Sequence, residues 1–254
     1  MKRKSKKKRK KIKIRLNKVT LICIAVIAAV VIAGAVQIHN YFSIAVSDTG
    51  DYRIKGVDVS SYQGNIDWDV LADQGIAFAF IKATEGSSHV DKKFSYNWKN
   101  AAKTDLRIGA YHFMSFETSG NKQAANFIKN VKSTGNMLPP VIDVEFYGSF
   151  ESKHPSKEVI YNTLETMMDA LEEEYGKKPV IYTTTYIYET YLAGRYDNDI
   201  WISDPEMVQP LIDGTKWTFC QYSFEGVMKG YSGNLKHIDL DVFNGSRMDF
   251  FRYD

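Results

Sequence analysis

The sequence predicts an α/β domain in which eight strand candidates alternate with helices and close, or nearly close, into a barrel, preceded by one N-terminal transmembrane helix. Three observations lead there. Apolar runs of strand length recur between runs with helical spacing. Two acids, Asp143 and Glu145, sit two residues apart inside one of those apolar runs. An uncharged stretch of membrane-spanning length follows a strongly basic N-terminus.

The N-terminus comes first in chain order. MKRKSKKKRKKIKIRLNK, residues 1–18, carries 12 Lys and Arg and no acid, and reads as a basic cytoplasmic segment. Residues 19–36, VTLICIAVIAAVVIAGAV, are uncharged. At about 1.5 Å per residue they are long enough for a bilayer core of about 30 Å. The basic flank keeps the N-terminus in the cytoplasm, so the rest is expected outside, at the cell membrane. Ala33-Gly34-Ala35 also fits a small-x-small cleavage pattern, which leaves secretion after cleavage near Ala35 as the alternative. The apolar run exceeds the ~7–15 residues of a signal-peptide core and favours an uncleaved anchor. Residues 37–51 read as a tether and 52–254 as a single outer domain.

Of the 33 Lys and Arg in the chain, 12 lie in residues 1–18; the remaining 21 face 30 Asp and Glu, so the rest of the chain is net −9 although the whole is +3. Such a domain repels phosphates, which argues against nucleic acid as a partner. Cys23 falls in the span and Cys220 in the outer domain, so no internal disulfide is expected there. About 200 residues can bury a sufficient core without one. Cys220 lies in an apolar strand and reads as a packed small side chain rather than a nucleophile.

The strand candidates are residues 55–60, 76–84, 107–114, 139–146, 178–184, 199–203, 216–223 and 237–243. The clearest helix runs from Ser156 to Tyr175. Ser156 can cap it, Ile160, Leu164, Met167, Met168 and Leu171 form its apolar stripe, and Gly176 stops it. Alternating strands and helices favour parallel pairing, and eight strands suit a TIM-barrel-like arrangement. Shorter connections between the later strands predict a partly antiparallel, irregular end.

Side chains along a strand alternate faces, so Asp143 and Glu145 point one way and Ile142, Val144 and Phe146 the other. A half-exposed strand with its polar face in water would read the same. The pattern recurs, however: Asp58 sits in GVDVS, and Asp239 and Asp241 in HIDLDVF. All lie late in their strands, where a parallel barrel opens its mouth. Acids gathered there raise one another's pKa values and keep a proton near neutral pH, which is the equipment for cleaving a glycosidic bond. Tyr111, His112, Phe113, Tyr182, Trp201, Trp217, Gln221 and Tyr222 also lie in strand candidates and suit a sugar site, although each aromatic alone is more often core.

Clustered carboxylates could instead bind Ca²⁺ or Mg²⁺. The five His form no His-x3-His pair, and no HExxH, GxSxG, P-loop or GxGxxG occurs, so neither metal nor cofactor is expected. A non-catalytic glycan-binding module and a metal-dependent polysaccharide hydrolase or deacetylase remain as alternatives.

KGVDVSSYQGNIDW, FAFIKATEG, IGAYHF, PPVIDVE, VIYT, QYS and IDLDVFNG occur in the order found in glycoside hydrolase family 25, which this sequence resembles over about residues 53–246. These are lysozymes (N-acetylmuramidases) that cut peptidoglycan. The resemblance implies a flattened β/α barrel that hydrolyses the β-1,4 bond between N-acetylmuramic acid and N-acetylglucosamine, with peptidoglycan glycan strands as partner and a monomer as working unit. It implies Glu145 as general acid, and Asp143 orienting the substrate's 2-acetamido group or the attacking water. Asp58 and Asp239 would complete an acidic floor. Tyr111, His112, Tyr182 and Gln221 would line the groove, with Trp201, Tyr222 and Lys82 as further candidates. Asp241 stands where the family often has Asn and receives no catalytic role. Cys220, where Trp is frequent, and Ser203-Asp204-Pro205 are departures placed on the groove walls.

Overall fold

In the computed structural model, which describes residues 52–135 and 137–254, eight strands close into a barrel. The predicted N-terminal segment, span and tether (1–51) lie outside the described residues. No helix among the described residues is long and apolar enough to cross a membrane.

The strands are β1 (Ile54–Val59), β2 (Phe78–Glu85), β3 (His89–Val90), β4 (Arg107–Phe113), β5 (Val141–Val144), β6 (Val180–Thr184), β7 (Ile200–Ser203), β8 (Phe219–Gly226) and β9 (Ile238–Phe243). The sheet order is β1-β9-β8-β7-β6-β5-β4-β2-β3, and a parallel β1–β2 pairing closes the ring. The two-residue β3 hangs on the edge of β2. Every predicted strand is present, mostly trimmed at its ends. Within the closed ring only β9 runs antiparallel to its neighbours, β8 and β1, so the irregular end is one reversed strand.

Helices cover the outside: α1 (Trp68–Ala72), α2 (Phe94–Ala101), α3 (Gly120–Asn130), α4 (Lys157–Tyr175), the short α5 (Thr185–Ile187) and α6 (Arg247–Arg252). α4 is the helix foreseen from its apolar stripe. Ser156 Oγ accepts from Val159 N at 3.3 Å, and Gly176 ends the helix in the left-handed region at φ 66°, where a Cβ would be strained. Ile160, Leu164, Met167, Met168 and Leu171 are all buried.

Strand alternation separates two cores. Val57, Ala79, Ile81, Ile142, Val144, Ile181, Ile202, Cys220 and Val242 face the helices. Ile54, Phe78, Phe80, Val141, Val180, Trp201, Phe219 and Phe243 fill the barrel interior, joined by Phe250 from α6. Phe80 stacks on Trp201 with ring centroids 4.4 Å apart, and meets Phe219 edge-on at 5.1 Å. Two inward positions are glycine because no other residue fits. A Cβ on Gly56 would sit 2.3 Å from the Phe78 ring, and one on Gly109 would sit 2.5 Å from Phe80. α6 closes the base: Arg107 Nη1 donates to the Phe250 carbonyl at 2.6 Å. The interior is therefore apolar and plugged at one end, and open only at the other.

Gly56→Ala is expected to destabilise the domain by about 1–3 kcal/mol, because the added methyl overpacks the interior. Gly135→Ala, where a Cβ would meet nothing within 4 Å, should stay within about 0.5 kcal/mol. Denaturant melts of the two variants check this.

Candidate active site

At the open end the inward positions turn polar. Along β1 the inward side chains run Ile54, Gly56, Asp58; along β5, Val141, Asp143 and then Glu145, one residue beyond the strand; along β6, Val180 and Tyr182; along β8, Phe219 and Gln221. On the reversed β9 the order is Asp239, Asp241, Phe243, so its beginning lies at the mouth. Asp239 pairs with Asp58, and Asp241 with Gly56 on one side and Gln221 on the other. The placement of Asp239 and Asp241 late in a parallel strand is thus corrected: β9 runs the other way, so Asp239 reaches the mouth and Asp241 lies one level below it, beside Gly56.

Asp58, Asp143 and Asp241 are buried, and Glu145 and Asp239 are half-buried. Gln221 Nε2 donates to Asp58 Oδ2 at 2.7 Å, while Gln221 Oε1 accepts from Tyr182 OH at 2.8 Å and Ser203 Oγ at 3.1 Å. Trp201 Nε1 donates to Asp241 Oδ1 at 2.8 Å. Asp143 Oδ1 and Asp241 Oδ2 are buried without a hydrogen-bond partner.

This environment favours protons. Burial pushes Asp143 well above the usual carboxylate range, the charge of Glu145 adds to it, and the charge of Lys82 opposes it. Glu145 is raised by burial and then by Asp239, again against Lys82. Burial and the neighbouring Asp241 and Asp239 raise Asp58, and burial lifts Asp239 to about 6. Asp143 and Glu145 repel each other across about one strand repeat, some 6.5–7 Å, which favours a proton on one of the pair. Lys82 is held 2.8 Å from Glu85 and 4.7 Å from the Phe113 ring. Among the described residues no group of three or more His, Cys, Asp and Glu has an arrangement that could hold a metal ion.

The structure gathers Asp58, Tyr111, Asp143, Glu145, Tyr182, Gln221, Asp239 and Lys82 at this end. Three of the predicted lining residues fall elsewhere or play another part. His112 faces α3: Nδ1 meets Thr84 Oγ1 at 2.7 Å, Nε2 meets Gln123 Oε1 at 3.1 Å, and the ring is fully buried against Phe127. Burial also depresses its pKa to about 4, so it is neutral in the fold. Tyr222 lies with Cys220 in the helix-facing core rather than beside Gln221. Trp201 does point inward, but it is buried under Tyr182 and serves Asp241 instead of offering a face to a sugar. Cys220 is packed inside, with Sγ 3.3 Å from the Asp204 carbonyl, so it forms no groove wall. Trp217 belongs to the outer core as well.

An aromatic bank beside Glu145 has no periodic signature in the sequence. Phe146, Tyr147 and Phe150, directly after Glu145, join Phe113, Phe116, His154 and Tyr186 in an aromatic bank beside the mouth. His154 stacks on Phe146 at 4.5 Å, and Tyr186 is half exposed. Three aromatics within FYGSF were the available signal.

Residues 57–231 match the model of the glycosyl hydrolases family 25. The chain belongs to glycosyl hydrolase family 25. A family 25 glycosyl hydrolase from Bacillus anthracis superposes with a TM-score of 0.75 at 50% identity, over 80% of this chain and 94% of that one. The uncharacterized protein YegX of Escherichia coli K12 is 37% identical over 84% of this chain and 80% of its own length. Lysozyme M1 of Streptomyces globisporus is 32% identical over 76% and 68%. The family 25 enzyme is therefore a glycoside hydrolase whose barrel mouth holds the acids.

His112→Gln is expected to leave KM for glycan unchanged. A histidine with a depressed folded pKa destabilises the fold progressively as pH falls from about 6.5 to about 4. The variant should lose that part of its acid sensitivity, read from unfolding free energies across this range.

Proposed function

We propose that this family 25 enzyme is a muramidase that hydrolyses the β-1,4 bond between N-acetylmuramic acid and N-acetylglucosamine in peptidoglycan. Glu145 acts as general acid and Asp143 assists it. The observation that carries the reading is the pair of inward acids on one strand end, unequal in exposure and raised together.

Glu145 stands one residue past β5 at the rim, half-buried, where it can reach a glycosidic oxygen. Burial and the charge of Asp239 favour its protonated form in the free enzyme. It gives that proton to the leaving oxygen, and its carboxylate then takes one from water. Asp143 sits deeper, buried with its Oδ1 left without a hydrogen-bond partner, ready to orient the acetamido group or the attacking water. Asp58, tied through Gln221 to Tyr182, and Asp239 at the rim form the floor beneath the sugar, with Tyr111 beside them. The charge of Lys82 restrains the two strand-end acids from binding their protons too tightly. Lysozyme M1 supports this substrate class. The basic segment and apolar run at 1–36 complete the proposal: they hold the enzyme at the outer face of the membrane, as a monomer, within reach of the wall.

Purified peptidoglycan incubated with the full-length chain should yield new reducing ends on muramic acid, read by mass spectrometry after reduction. Glu145→Gln is expected to lower kcat by about 10²–10⁴-fold, with chelator leaving the wild type unaffected. Full activity in Glu145→Gln would overturn the assignment. Wall binding without cleavage by the wild type would favour a non-catalytic module.

A further inference from the structure

The mechanism above makes no use of Asp241, although it is fully buried, inward-facing and on the floor. Its register partner on β1 is Gly56, which has no side chain, so nothing on β1 stands between Asp241 and Asp58, two residues along the same inner face. The two carboxyls interact directly. Gln221, paired with Asp241 across β8, aims its amide nitrogen at Asp58 Oδ2 and gives no bond to Asp241 Oδ2. Trp201 spends its only donor on Asp241 Oδ1. Asp241 Oδ2 is then left buried with no donor at all.

Two ionised carboxylates can only accept, so neither satisfies the other. The surroundings offer no relief. The charged and titratable groups acting on the two are Asp239 from β9, Asp143 from β5, and Cys220 from β8; the tyrosines coupled to Asp58 are Tyr111 from β4 and Tyr182 from β6. All are acidic, and none supplies positive charge. A hydrogen placed between the two carboxyls supplies the missing donor and removes one of two buried charges.

We propose that Asp241 is a positioning residue that shares a single proton with Asp58, and thereby holds the Asp58 carboxyl in line with Gln221 and Tyr182 beneath the substrate. Trp201 aims Asp241, Asp241 aims Asp58, and the chain continues through Gln221 to the Tyr182 hydroxyl beside the strand-end acids. For its kinetic arm the inference rests on the muramidase reading; its pH arm is independent of any activity.

The test compares Asp241→Asn with Asp241→Leu in the full-length chain, purified in mild detergent. Asn keeps an oxygen for Trp201 and carries a permanent N–H for Asp58, whereas Leu supplies neither. Asp241→Leu should lose at least tenfold in kcat, and Asp241→Asn should recover most of that loss. The decisive readout is stability against pH. A carboxyl that keeps its proton in the fold but releases it on unfolding makes stability fall as pH rises above the ordinary carboxylate range. The fall is up to about tenfold in the folding equilibrium per pH unit for each such proton. Asp241→Asn should flatten that slope between pH 5 and 8 by up to one proton. A merely structural side chain would leave the slope unchanged.

Parallel slopes, wild-type kcat in Asp241→Leu, or equal losses in the Asn and Leu variants would each overturn the proposal. Should Asp241→Asn not fold, the double variant Asp143→Asn/Glu145→Gln answers the question by infrared spectroscopy at pH 7.5. Asp239, at about 6, is then ionised. A remaining protonated-carboxyl band supports the shared proton, and none overturns it.

Discussion

The structure depends on one constraint: carboxyl groups are taken out of water at the open end of a barrel whose other end is filled with aromatic rings. Two unit charges about 4 Å apart interact by roughly 4 kcal/mol at an effective dielectric of about 20, and here several acids crowd together with Lys82 as the cation acting on the strand-end pair. The few donors available, Gln221 to Asp58 and Trp201 to Asp241, relieve only part of that repulsion. Bound protons relieve the rest. A site built this way holds acid-form carboxyls at a pH where carboxylates in water are ionised, and that is what protonating a leaving oxygen requires.

The apolar interior is part of the same device. Gly56 and Gly109 let Phe78 and Phe80 reach the barrel axis, and Phe80 in turn backs Trp201, which holds Asp241. α6 and Phe250 seal the base. Without that filling, water would reach the floor from below and raise the local dielectric, and the acids would ionise. Packing and pKa are therefore one property, and the functional side chains gain precision from sitting on strands. Glu145 is the exception. It lies just past β5, where it keeps the freedom to approach a glycosidic oxygen, while Asp143 stays fixed two residues back.

The strands, the long helix with its Ser156 and Gly176 caps, and the shared face of Asp143 and Glu145 were legible because each follows from local periodicity. The groove lining was read less well, for a reason the same periodicity supplies. Adjacent residues of a strand cannot both face inward, so naming Tyr111 with His112, and Gln221 with Tyr222, had to misplace one of each pair. His112 and Tyr222 went to the helix side, where Thr84, Gln123 and Phe127 meet the imidazole. Trp201 obeyed the alternation but lay a level too deep, because depth depends on how neighbouring strands are staggered. The aromatic bank after Glu145 was in plain view as FYGSF, yet loop residues carry no periodicity that says which way they turn.

The reversal of β9 shows what composition cannot carry. Read as one more parallel strand, HIDLDVF would bring Phe243 to the mouth, set Asp241 nearest the substrate and bury Asp239 deepest. Run antiparallel, the same residues put Asp239 opposite Asp58 at the rim, send Asp241 down to the level of Gly56, and drop Phe243 among the rings at the base. Chain direction alone decides which acid meets solvent and which is locked in the floor. It also explains how one strand can serve both levels: the rim acid is free to titrate with the substrate's chemistry, while the deeper one, held by Trp201, acts on the site only through Asp58.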